Sequence, residues 1–358
     1  MAELKPVSEM AAFIKQAAQH AGFELAGIAP VAEFPELNHF VDWIAAGHAG
    51  EMRYLEKRDD AGNLQRASLR STVPWARSVI VCALNYNTAY PYSTQPQAPD
   101  LGWISRYAWS QEDYHDAVLR RLRLVEDHLR RTAGETPAPQ TLCYVDTGPV
   151  VERVYARYAG VGWIGKNTCI LNQQLGSWLF LGVIVTSLEL TPDFPAPDRC
   201  GTCTRCIDAC PTDALIAPYQ LDSNRCISYL TIEKRGDIPV EIREGMGRHV
   251  FGCDICQDVC PWNRKAPAST AAEVQPRERL VNPALDWLAE MSAEKFRHTF
   301  RGSPIRRTKR SGLRRNAVVA MGNSGNQRFV PLLDKLAADE DPVVAEHARW
   351  AARKLSPS

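Results

Sequence analysis

The chain has 358 residues, which at about 150 residues per domain gives two or three domains and a core that needs no metal or disulfide staples. Hydrophobic residues make up 45% and charged residues 23% of the chain, values that exclude a disordered, collagen-like or coiled-coil protein. The formal net charge is +1, so any affinity for nucleic acid must come from local clustering of cations.

The cysteines are concentrated in one region. Eight of the 11 fall between Cys200 and Cys260, which is not how a disulfide scaffold distributes them and which indicates a metal site.

The N-terminal segment lacks the basic leader and apolar run of an export signal. The longest nearly apolar run, Leu175 to Leu188, is shorter than the roughly 20 residues that span a bilayer. We therefore expect a cytoplasmic protein with reduced thiols and no membrane partner.

Hydrophobic periodicity in the first 190 residues predicts a layered arrangement of helices and strands. Helices are predicted over 11–21, from Asp113 through Leu129, and from Pro149 to Gly160. Strands are predicted at 24–28, 79–84, 142–145, 169–171 and 178–185. We expect a multidomain chain of the α+β or α/β class, with an α/β domain over residues 1–190.

Two further regions follow this domain. Residues 191–198 carry three prolines and predict a linker into a cysteine-rich module over 191–265. The last region, 275–358, ends in two predicted helical pairs that repeat in register. This pattern is typical of HEAT-like helical repeats, and a small helical bundle is the alternative.

The cysteine spacing is the strongest motif of the chain. Residues 200–211 have the spacing C-x-x-C-x-x-C-x-x-x-C-P of bacterial ferredoxins, in which three thiolates bind one iron–sulfur cluster and the fourth binds its neighbour. Residues 253–261 repeat the second half of this spacing, and Cys226 lies between the two runs. Zinc prefers four ligands in separated pairs, so it fits this closely spaced quartet poorly.

Eight thiolates are the number that two [4Fe–4S] clusters require, and two adjacent clusters pass single electrons. The crossover typical of this spacing predicts one cluster on Cys200, Cys203, Cys206 and Cys260. It predicts the second cluster on Cys253, Cys256, Cys226 and Cys210. The three other cysteines lie in apolar, strand-like segments, where buried structural thiols are expected: Cys82, Cys143 and Cys169.

Asp146 is a second chemical candidate. It follows the predicted strand 142–145, a frequent position for an active-site residue in layered α/β domains. Burial at this position would raise the pKa of the carboxyl and let it donate a proton near neutral pH. The alternative is that Asp146 only caps the helix predicted to begin at Pro149.

Residues 295–315 contain nine Lys or Arg and no Asp or Glu. Such a tract is typical of a surface that binds a phosphate backbone, and Phe296, His298 and Phe300 are candidates to stack on unpaired bases. The alternative is a solvated basic face whose aromatic residues belong to the core.

In combination, several motifs resemble the epoxyqueuosine reductase family, cobalamin-dependent iron–sulfur enzymes that complete queuosine at the wobble position of tRNA. The resemblance covers nearly the whole chain and includes the cysteine set through Cys260-Pro-Trp-Asn263. The other motifs are Gly50-Glu-Met-Arg-Tyr-Leu-Glu-Lys-Arg58, Arg106-Tyr-Ala-Trp109 with Asp113-Tyr-His115, Asp146-Thr-Gly-Pro-Val-Val-Glu-Arg153 and Gly162-Trp-Ile-Gly-Lys-Asn-Thr168.

The resemblance implies a base-off cobalamin held by the first domain beside a ferredoxin-like module, with Asp146 at the position of the family's proton donor. The D-x-H-x-x-G signature of many cobalamin enzymes is absent, and the family works without that histidine ligand. The cobalamin contacts that the resemblance implies are Arg58, Asp146, Lys166, Asn167, Thr168 and Ile170.

The resemblance also implies an activity. A flavodoxin or ferredoxin would pass electrons through the two clusters to cobalamin, the epoxide of epoxyqueuosine would be reduced to queuosine, and Asp146 would protonate the leaving oxygen. Residues 275–358 would dock the tRNA, and the protein would act as a monomer. The tentative tRNA contacts are Arg297, Arg301, Arg306, Arg307, Lys309 and Arg310.

Two other classes of function remain open at this point. One is a cobalamin and iron–sulfur reductase of a small molecule, such as a reductive dehalogenase. The other is a non-catalytic electron carrier or RNA-binding scaffold.

Overall fold

A computed structural model describes residues 7–133 and 138–356. The chain divides into two compact units. The first unit comprises Met1–Asn87, Tyr114–Thr204 and Pro261–Glu273, and the second comprises Thr88–Asp113, Arg205–Cys260 and Val274–Ser358. No helix among the described residues is long and apolar enough to cross a membrane.

The strands, in chain order, are β1 (Leu25–Pro30), β2 (Ser78–Asn85), β3 (Trp103–Ile104), β4 (Thr141–Tyr144), β5 (Trp163–Ile164), β6 (Ile170–Leu171), β7 (Leu179–Thr186), β8 (Leu215–Ala217), β9 (Gln220–Leu221) and β10 (His249–Phe251). The helices are α1 (Val7–His20), α2 (Pro35–Ala45), α3 (Leu69–Thr72), α4 (Tyr114–Ala133), α5 (Glu152–Tyr158), α6 (Arg205–Asp208), α7 (Ile227–Ile232), α8 (Val240–Arg243), α9 (Ile255–Asp258), α10 (Leu285–Ala289), α11 (Ala293–Thr299), α12 (Lys309–Asn323), α13 (Val330–Leu336) and α14 (Pro342–Leu355).

The first unit is built on a four-stranded sheet in the order β1-β2-β7-β4. Every neighbouring pair in this sheet is antiparallel, so the unit belongs to the α+β class. All residues of β2 are buried, as its continuous apolar run predicts. Helix α4 packs on α1 and on β7, and α5 packs on β1, β2 and β7.

Helix α5 is anchored in the core of the first unit. Val154, Tyr155 and Ala156 are buried in one cluster with Val79 and other residues of the sheet. Burying a side chain of this size contributes about 1.5–3 kcal/mol for each large aliphatic or aromatic residue. The core therefore fixes the position of the residues at the beginning of α5.

The structure corrects the predicted beginning of this helix. The sequence predicts a helix from Pro149, whereas α5 begins at Glu152 and its N-cap is Val151, with φ −83° and ψ 81°. The segment 149–151 stays a loop, since ψ of Val151 lies outside the helical region. Gly160, with φ 70°, follows the helix as predicted.

The segment 191–198 is attached to the first unit and is not a free linker. The backbone N–H of Asp193 donates to the carbonyl oxygen of Ile28 at 2.8 Å, and Asp193 Oδ2 accepts from the N–H of Ile28 at 2.9 Å. Further along, the N–H of Ala196 donates to the carbonyl oxygen of Arg157 at 2.9 Å.

The second unit is mainly helical around one apolar core. Strands β3 and β10 pair in parallel, and β8 and β9 form a short hairpin. Helix α12 packs on α10 and α14, and α13 packs on α14. Every residue from Gly312 to Gly322 is buried, so α12 is the central helix of the unit. The HEAT-like repeat and the boundaries of the three predicted domains stay predictions.

Candidate active site and cluster cysteines

The loop after β4 carries Asp146, and its neighbours in the first unit hold the carboxylate. The hydroxyl of Tyr114 donates a hydrogen bond to Asp146 Oδ2. Tyr114 is 8% exposed, and its ring stacks on Phe180 of β7 with ring centroids 4.4 Å apart. His115 Nε2 lies 3.9 Å from the same carboxylate oxygen. The direction of the Asp146 carboxylate is therefore set by a side chain that is packed in the core.

Asp146 is exposed, which corrects both interpretations drawn from the sequence. Its side chain is 60% exposed, so the predicted burial is wrong. The capping alternative is also wrong, because α5 begins at Glu152 and no side-chain hydrogen bond caps it. Asp146 has φ 59°, a left-handed conformation that aspartate tolerates better than most residues. The carboxylate is open to a ligand while its backbone is held in place.

Glu152 is the buried carboxylic acid of this region, and the spacing of residues in the sequence does not predict it. Its Oε1 accepts a hydrogen bond from the backbone N–H of Asp146 at 2.7 Å, and the residue is 9% exposed. Burial raises the pKa of Glu152 well above its usual range, and the neighbouring Asp146 raises it further, against the charges of Arg66 and Arg153. The only signal in the sequence was its place in the motif that begins at Asp146.

The hairpin of β5 and β6 carries four of the predicted cofactor contacts: Lys166, Asn167, Thr168 and Ile170. Thr168 closes its turn with φ 65°, and Arg153 Nη1 donates to the carbonyl oxygen of Thr168 at 2.7 Å. Asn167 is buried, and its Oδ1 accepts from the N–H of Cys169 at 3.2 Å. Ile170 is buried in the same core cluster as α5. Consecutive residues of α5 thus contact both the Asp146 loop and this hairpin.

Lys166 and Arg58 make contacts that the sequence did not predict. Lys166 Nζ donates to the carbonyl oxygens of Gly201 at 2.7 Å and Cys203 at 2.9 Å, which ties the hairpin to the first cysteine run. Arg58 Nη1 donates to the carbonyl oxygen of Gly62 at 2.7 Å. Among the described residues, no hydrogen bond joins Arg58 to the other predicted cofactor contacts.

The first unit holds the beginning of the cysteine run. The N–H of Cys200 donates to Asp198 Oδ1 at 2.7 Å, and the N–H of Cys203 donates to the carbonyl oxygen of Cys200 at 3.1 Å. These two hydrogen bonds form a tight turn at the beginning of the cysteine run. None of the eleven cysteines forms a disulfide, so all the predicted ligands are available for a metal cluster.

The second unit holds the other six predicted ligands: Cys206, Cys210, Cys226, Cys253, Cys256 and Cys260. Helices α6 and α9, which carry two of them, pack against each other. Burial raises the pKa of Cys253 well above its usual range, and the charges of Cys226 and Cys210 raise it further. The spacing assigns these three thiols to one cluster, and all three lie in the second unit.

Asp254 binds the segment that leads into the Arg106–Trp109 motif within the second unit. Its carboxylate is buried and accepts hydrogen bonds from Trp103 Nε1 at 3.1 Å, from the N–H of Arg106 at 2.7 Å and from the hydroxyl of Ser105. Since Asp254 directly follows Cys253, these bonds fix the second cysteine run. The motif contributes one backbone hydrogen bond, from Arg106, to the support of this run of predicted ligands.

The structure divides the basic tract into buried and exposed cations. Arg314 is buried and its guanidinium pairs with Asp339, with Nη1 and Oδ1 3.0 Å apart. Arg315 is buried and donates to the carbonyl oxygens of Leu230 and Gly236 at 2.7 Å. These two arginines support the fold of the second unit.

The predicted stacking residues of the tract are also corrected. Phe296 and Phe300 are 8% and 0% exposed and belong to the core of the second unit, so they cannot stack on bases. Phe296 lies on α11 and Phe300 is its C-cap, and the spacing of four residues places both on the inward face of the helix. Arg307 pairs with Glu233, and Arg310 Nε donates to the carbonyl oxygen of Met291 at 2.7 Å. The exposed tentative tRNA contacts are Arg297, Arg301, Arg306, Arg307 and Lys309.

Two family models match the chain. One, described as a 4Fe–4S double cluster binding domain, covers residues 199–263. The other, described as epoxyqueuosine reductase QueG, DUF1730, covers residues 66–147. The first match contains all eight cysteines of the two predicted clusters.

The chain is also similar to curated and solved proteins. The epoxyqueuosine reductase of Synechocystis sp. is 43% identical over 296 residues, which is 81% of this chain and 98% of the relative. A crystal structure of epoxyqueuosine reductase with an epoxyqueuosine-modified tRNA-Tyr stem loop matches with a TM-score of 0.87 and 29% identity over 98% of this chain and 92% of that chain. The Bacillus subtilis enzyme, solved with its catalytic aspartate loop swung out of the active site, has the same TM-score, identity and coverage.

Proposed function

This chain belongs to the epoxyqueuosine reductase family, and from that premise we propose that it reduces epoxyqueuosine at the wobble position of tRNA to queuosine. It is an oxidoreductase with a binding domain for two [4Fe–4S] clusters. One observation carries the proposal further: α5 contacts both the loop of the candidate acid and the hairpin of the candidate cofactor contacts.

The donor set fits iron–sulfur clusters. Eight cysteines stand in ferredoxin spacing, none of them forms a disulfide, and six of them lie in the second unit. We assign Cys200, Cys203, Cys206 and Cys260 to one cluster and the other four thiols to the second. Lys166 brings a cation to the first run through its bonds to Gly201 and Cys203. A cation there favours the reduced, more negative state of a nearby cluster.

The hairpin of β5 and β6 fits a large polar cofactor. The indole N–H of Trp163, on β5, is buried without a hydrogen-bond partner among the described residues, and Asn167 and Thr168 follow Trp163 in the turn of the hairpin. An unpaired buried donor is costly unless a bound group accepts from it. Cobalamin would supply a strongly reducing metal centre at this site. We assign its contacts to Lys166, Asn167, Thr168 and Ile170, with Asp146 nearby and Arg58 as a separate candidate.

The proton chemistry belongs to Asp146. Conversion of the epoxide to a double bond takes up two electrons and two protons and releases one water molecule. Asp146 delivers a proton to the departing oxygen, and Tyr114 directs its carboxyl group. The exposure of Asp146 lets the modified base approach it, and His115 stands 3.9 Å from the same oxygen. A catalytic aspartate loop in the Bacillus subtilis enzyme supports this role.

The exposed cations of the second unit are the proposed tRNA contacts. Arg297, Arg301, Arg306 and Lys309 lie at the surface, beside the predicted HEAT-like helices α12 to α14. The solved relative with a tRNA-Tyr stem loop supports an RNA substrate. A flavodoxin or ferredoxin is the proposed electron donor, and we expect the enzyme to act as a monomer in the cytoplasm.

The proposed function has a direct test. Anaerobically reconstituted protein is incubated with cobalamin, a chemical reductant and tRNA from cells that lack this activity. The tRNA is then digested, and the masses of its nucleosides are measured by mass spectrometry. We expect epoxyqueuosine to lose one oxygen atom. The variant Asp146→Asn should reduce the rate about 10²- to 10⁴-fold, because it removes a general acid. The exposed Asp42→Asn on α2 is the matched control.

Three outcomes contradict parts of the proposal. If protein with intact clusters and bound cobalamin converts no epoxyqueuosine, the tRNA assignment is wrong and a small-molecule substrate is favoured. If Asp146→Asn turns over at the rate of the wild type, Asp146 is not the acid. If the rate falls equally in Asp42→Asn, the loss reflects a general effect of removing charge.

A further inference from the structure

Two loops of the candidate site hold non-glycine residues in the left-handed conformation. Asp146 has φ 59° and Thr168 has φ 65°. Such a conformation costs on the order of 1 kcal/mol or more for a residue with a side chain, and most of all for a β-branched residue such as threonine. It persists only where neighbouring groups hold the backbone.

The neighbouring groups are two consecutive residues of one helix. Glu152 Oε1 accepts the backbone N–H of Asp146 at 2.7 Å. Arg153 Nη1 donates to the carbonyl oxygen of Thr168 at 2.7 Å and to its hydroxyl at 3.3 Å. Both bonds start from the first turn of α5, and both end on the backbone of a left-handed residue.

The helix that carries this pair is fixed. Val154, Tyr155 and Ala156, the next three residues of α5, are buried in the core of the first unit. The carbonyl oxygen of Ala159, at the other end of α5, lies so close to Gly27 of β1 that a Cβ there would overlap it. The distance between the two loops is therefore set by a support that neither loop can shift.

We propose that Glu152 and Arg153 are positioning residues that hold the Asp146 loop and the Thr168 turn at a fixed separation. The proposal rests on the proposed function only for the roles of the two loops, acid and cofactor contact. The two residues are adjacent in the first turn of α5, yet each one binds a different loop. A rotation of either side chain would free one loop and leave the other in place.

The carboxyl group of Glu152 is suited to accept the hydrogen bond from the backbone N–H of Asp146. Its carboxyl group is buried, with Asp146, Arg66 and Arg153 as the charged groups facing it. Burial and the nearby Asp146 raise the pKa of Glu152 and the hydrogen bond from the Asp146 N–H lowers it, and in either protonation state a carboxyl oxygen can accept from that N–H. Glutamine has the same shape and the same acceptor, so Glu152→Gln is the conservative variant.

The first test measures the loop itself and needs no activity. Amide hydrogen exchange of the peptide that spans residues 145–151 is compared in the wild type, Glu152→Ala and Glu152→Gln, each with its clusters in place. We expect exchange about tenfold faster in Glu152→Ala and close to the wild type in Glu152→Gln. Equal exchange in all three proteins, at equal melting temperature and iron content, would show that Glu152 does not hold the loop.

The second test separates positioning from general damage. Glu152→Ala should lower kcat about 10- to 100-fold with KM for the tRNA stem loop unchanged, since misplacing a catalytic group by about 1 Å has effects of this size. In an Asp146→Ala background, Glu152→Ala should cost no further rate. A full additional loss in that background would contradict an action through Asp146.

Arg153 is tested by cofactor binding. We expect Arg153→Met to weaken the binding of added cobalamin about tenfold, the lower end of the range for residues that orient a ligand's contacts. Glu152→Ala should leave that binding unchanged, because its bond goes to the other loop. Equal weakening in both variants would mean that α5 acts as a whole and not through two separate contacts.

The two levels of inference fail in different ways. If the wild type converts no epoxyqueuosine but Glu152→Ala speeds exchange, the proposed function is wrong and the positioning pair stands. If the wild type is active while Glu152→Ala changes neither exchange nor kcat, the positioning role is wrong and the proposed function stands.

Discussion

Glu152 makes the stability of the first unit depend on pH. Its pKa is raised by burial and by Asp146, so the folded protein binds this proton more tightly than the unfolded chain, in which the pKa is about 4.3. Stability from this group is complete below the unfolded pKa and is lost as the pH rises towards the folded pKa. Because the raised pKa lies well above the usual range, the loss extends towards neutral pH.

The variant Glu152→Gln removes this titration. We expect its melting temperature, relative to the wild type, to rise as the pH increases from 5.5 to 8.5, since only the wild type must ionise a buried acid. Thermal unfolding of the cluster-loaded proteins measures the difference. The exposed Glu33→Gln is the control, and its difference should stay constant. A constant difference for Glu152→Gln as well would show that Glu152 is already ionised across this range.

Individual residues differ in how well the sequence marks them. Cluster cysteines are recognised by spacing, because a ligand run must bend around one cluster and the bend fixes the intervals. Glu152 has no such mark, since its burial arises from the packing of α5 on the sheet. Asp146 was found from its place after a strand, but its exposure depends on the loop that delays α5 to Glu152.

At the scale of elements, the contact between α5 and β1 decides the geometry of the site. A Cβ on Gly27 would overlap the backbone carbonyl of Ala159, and backbone cannot move without shifting α5. A Cβ on Gly182 of β7 would lie 2.7 Å from Val118 Cγ1 and 2.8 Å from Leu122 Cδ1, which are methyl groups of α4 that can repack.

The two glycines therefore predict an order of stability. Gly27→Ala should destabilise the first unit by about 3 kcal/mol, the upper end of the range for overpacking, and Gly182→Ala by about 1 kcal/mol. Melting temperatures of the two cluster-loaded variants, measured side by side, provide the comparison. The reverse order, or equal losses, would mean that α5 adjusts to β1 more easily than α4 does to β7.

Long apolar patterns predicted helices and strands better than single proline residues did. Strands β2 and β7 and helix α4 follow from apolar runs and from helical spacing, which burial imposes along the whole element. Pro149 was interpreted as a first helical turn, but it lies before the helix. The basic tract was interpreted as one surface, although α11 and α12 turn part of it inward.

At the scale of the whole molecule, acidic and basic residues are nearly equal in number, but they are unevenly distributed along the chain. The net charge is +1, yet the tract 295–315 contains no acid. Two of its arginines are buried and pair or bond within the second unit, which leaves a smaller exposed set than the sequence suggests. The electrostatic contribution to RNA binding should therefore come from the exposed cations alone.

Salt dependence tests this division. Each cation that neutralises a phosphate contributes roughly 0.7 to 0.9 to the slope of log K against log salt. Replacing Arg301, Arg306 and Lys309 by alanine should therefore reduce the slope for a tRNA-Tyr stem loop by about 2, with weaker binding at low salt and convergence with the wild type at high salt. Arg353→Ala, which removes an exposed cation of α14, is the matched control. An unchanged slope in the triple variant would assign the tract to ordinary solvated surface, and an equal change in Arg353→Ala would place the RNA on α14 as well.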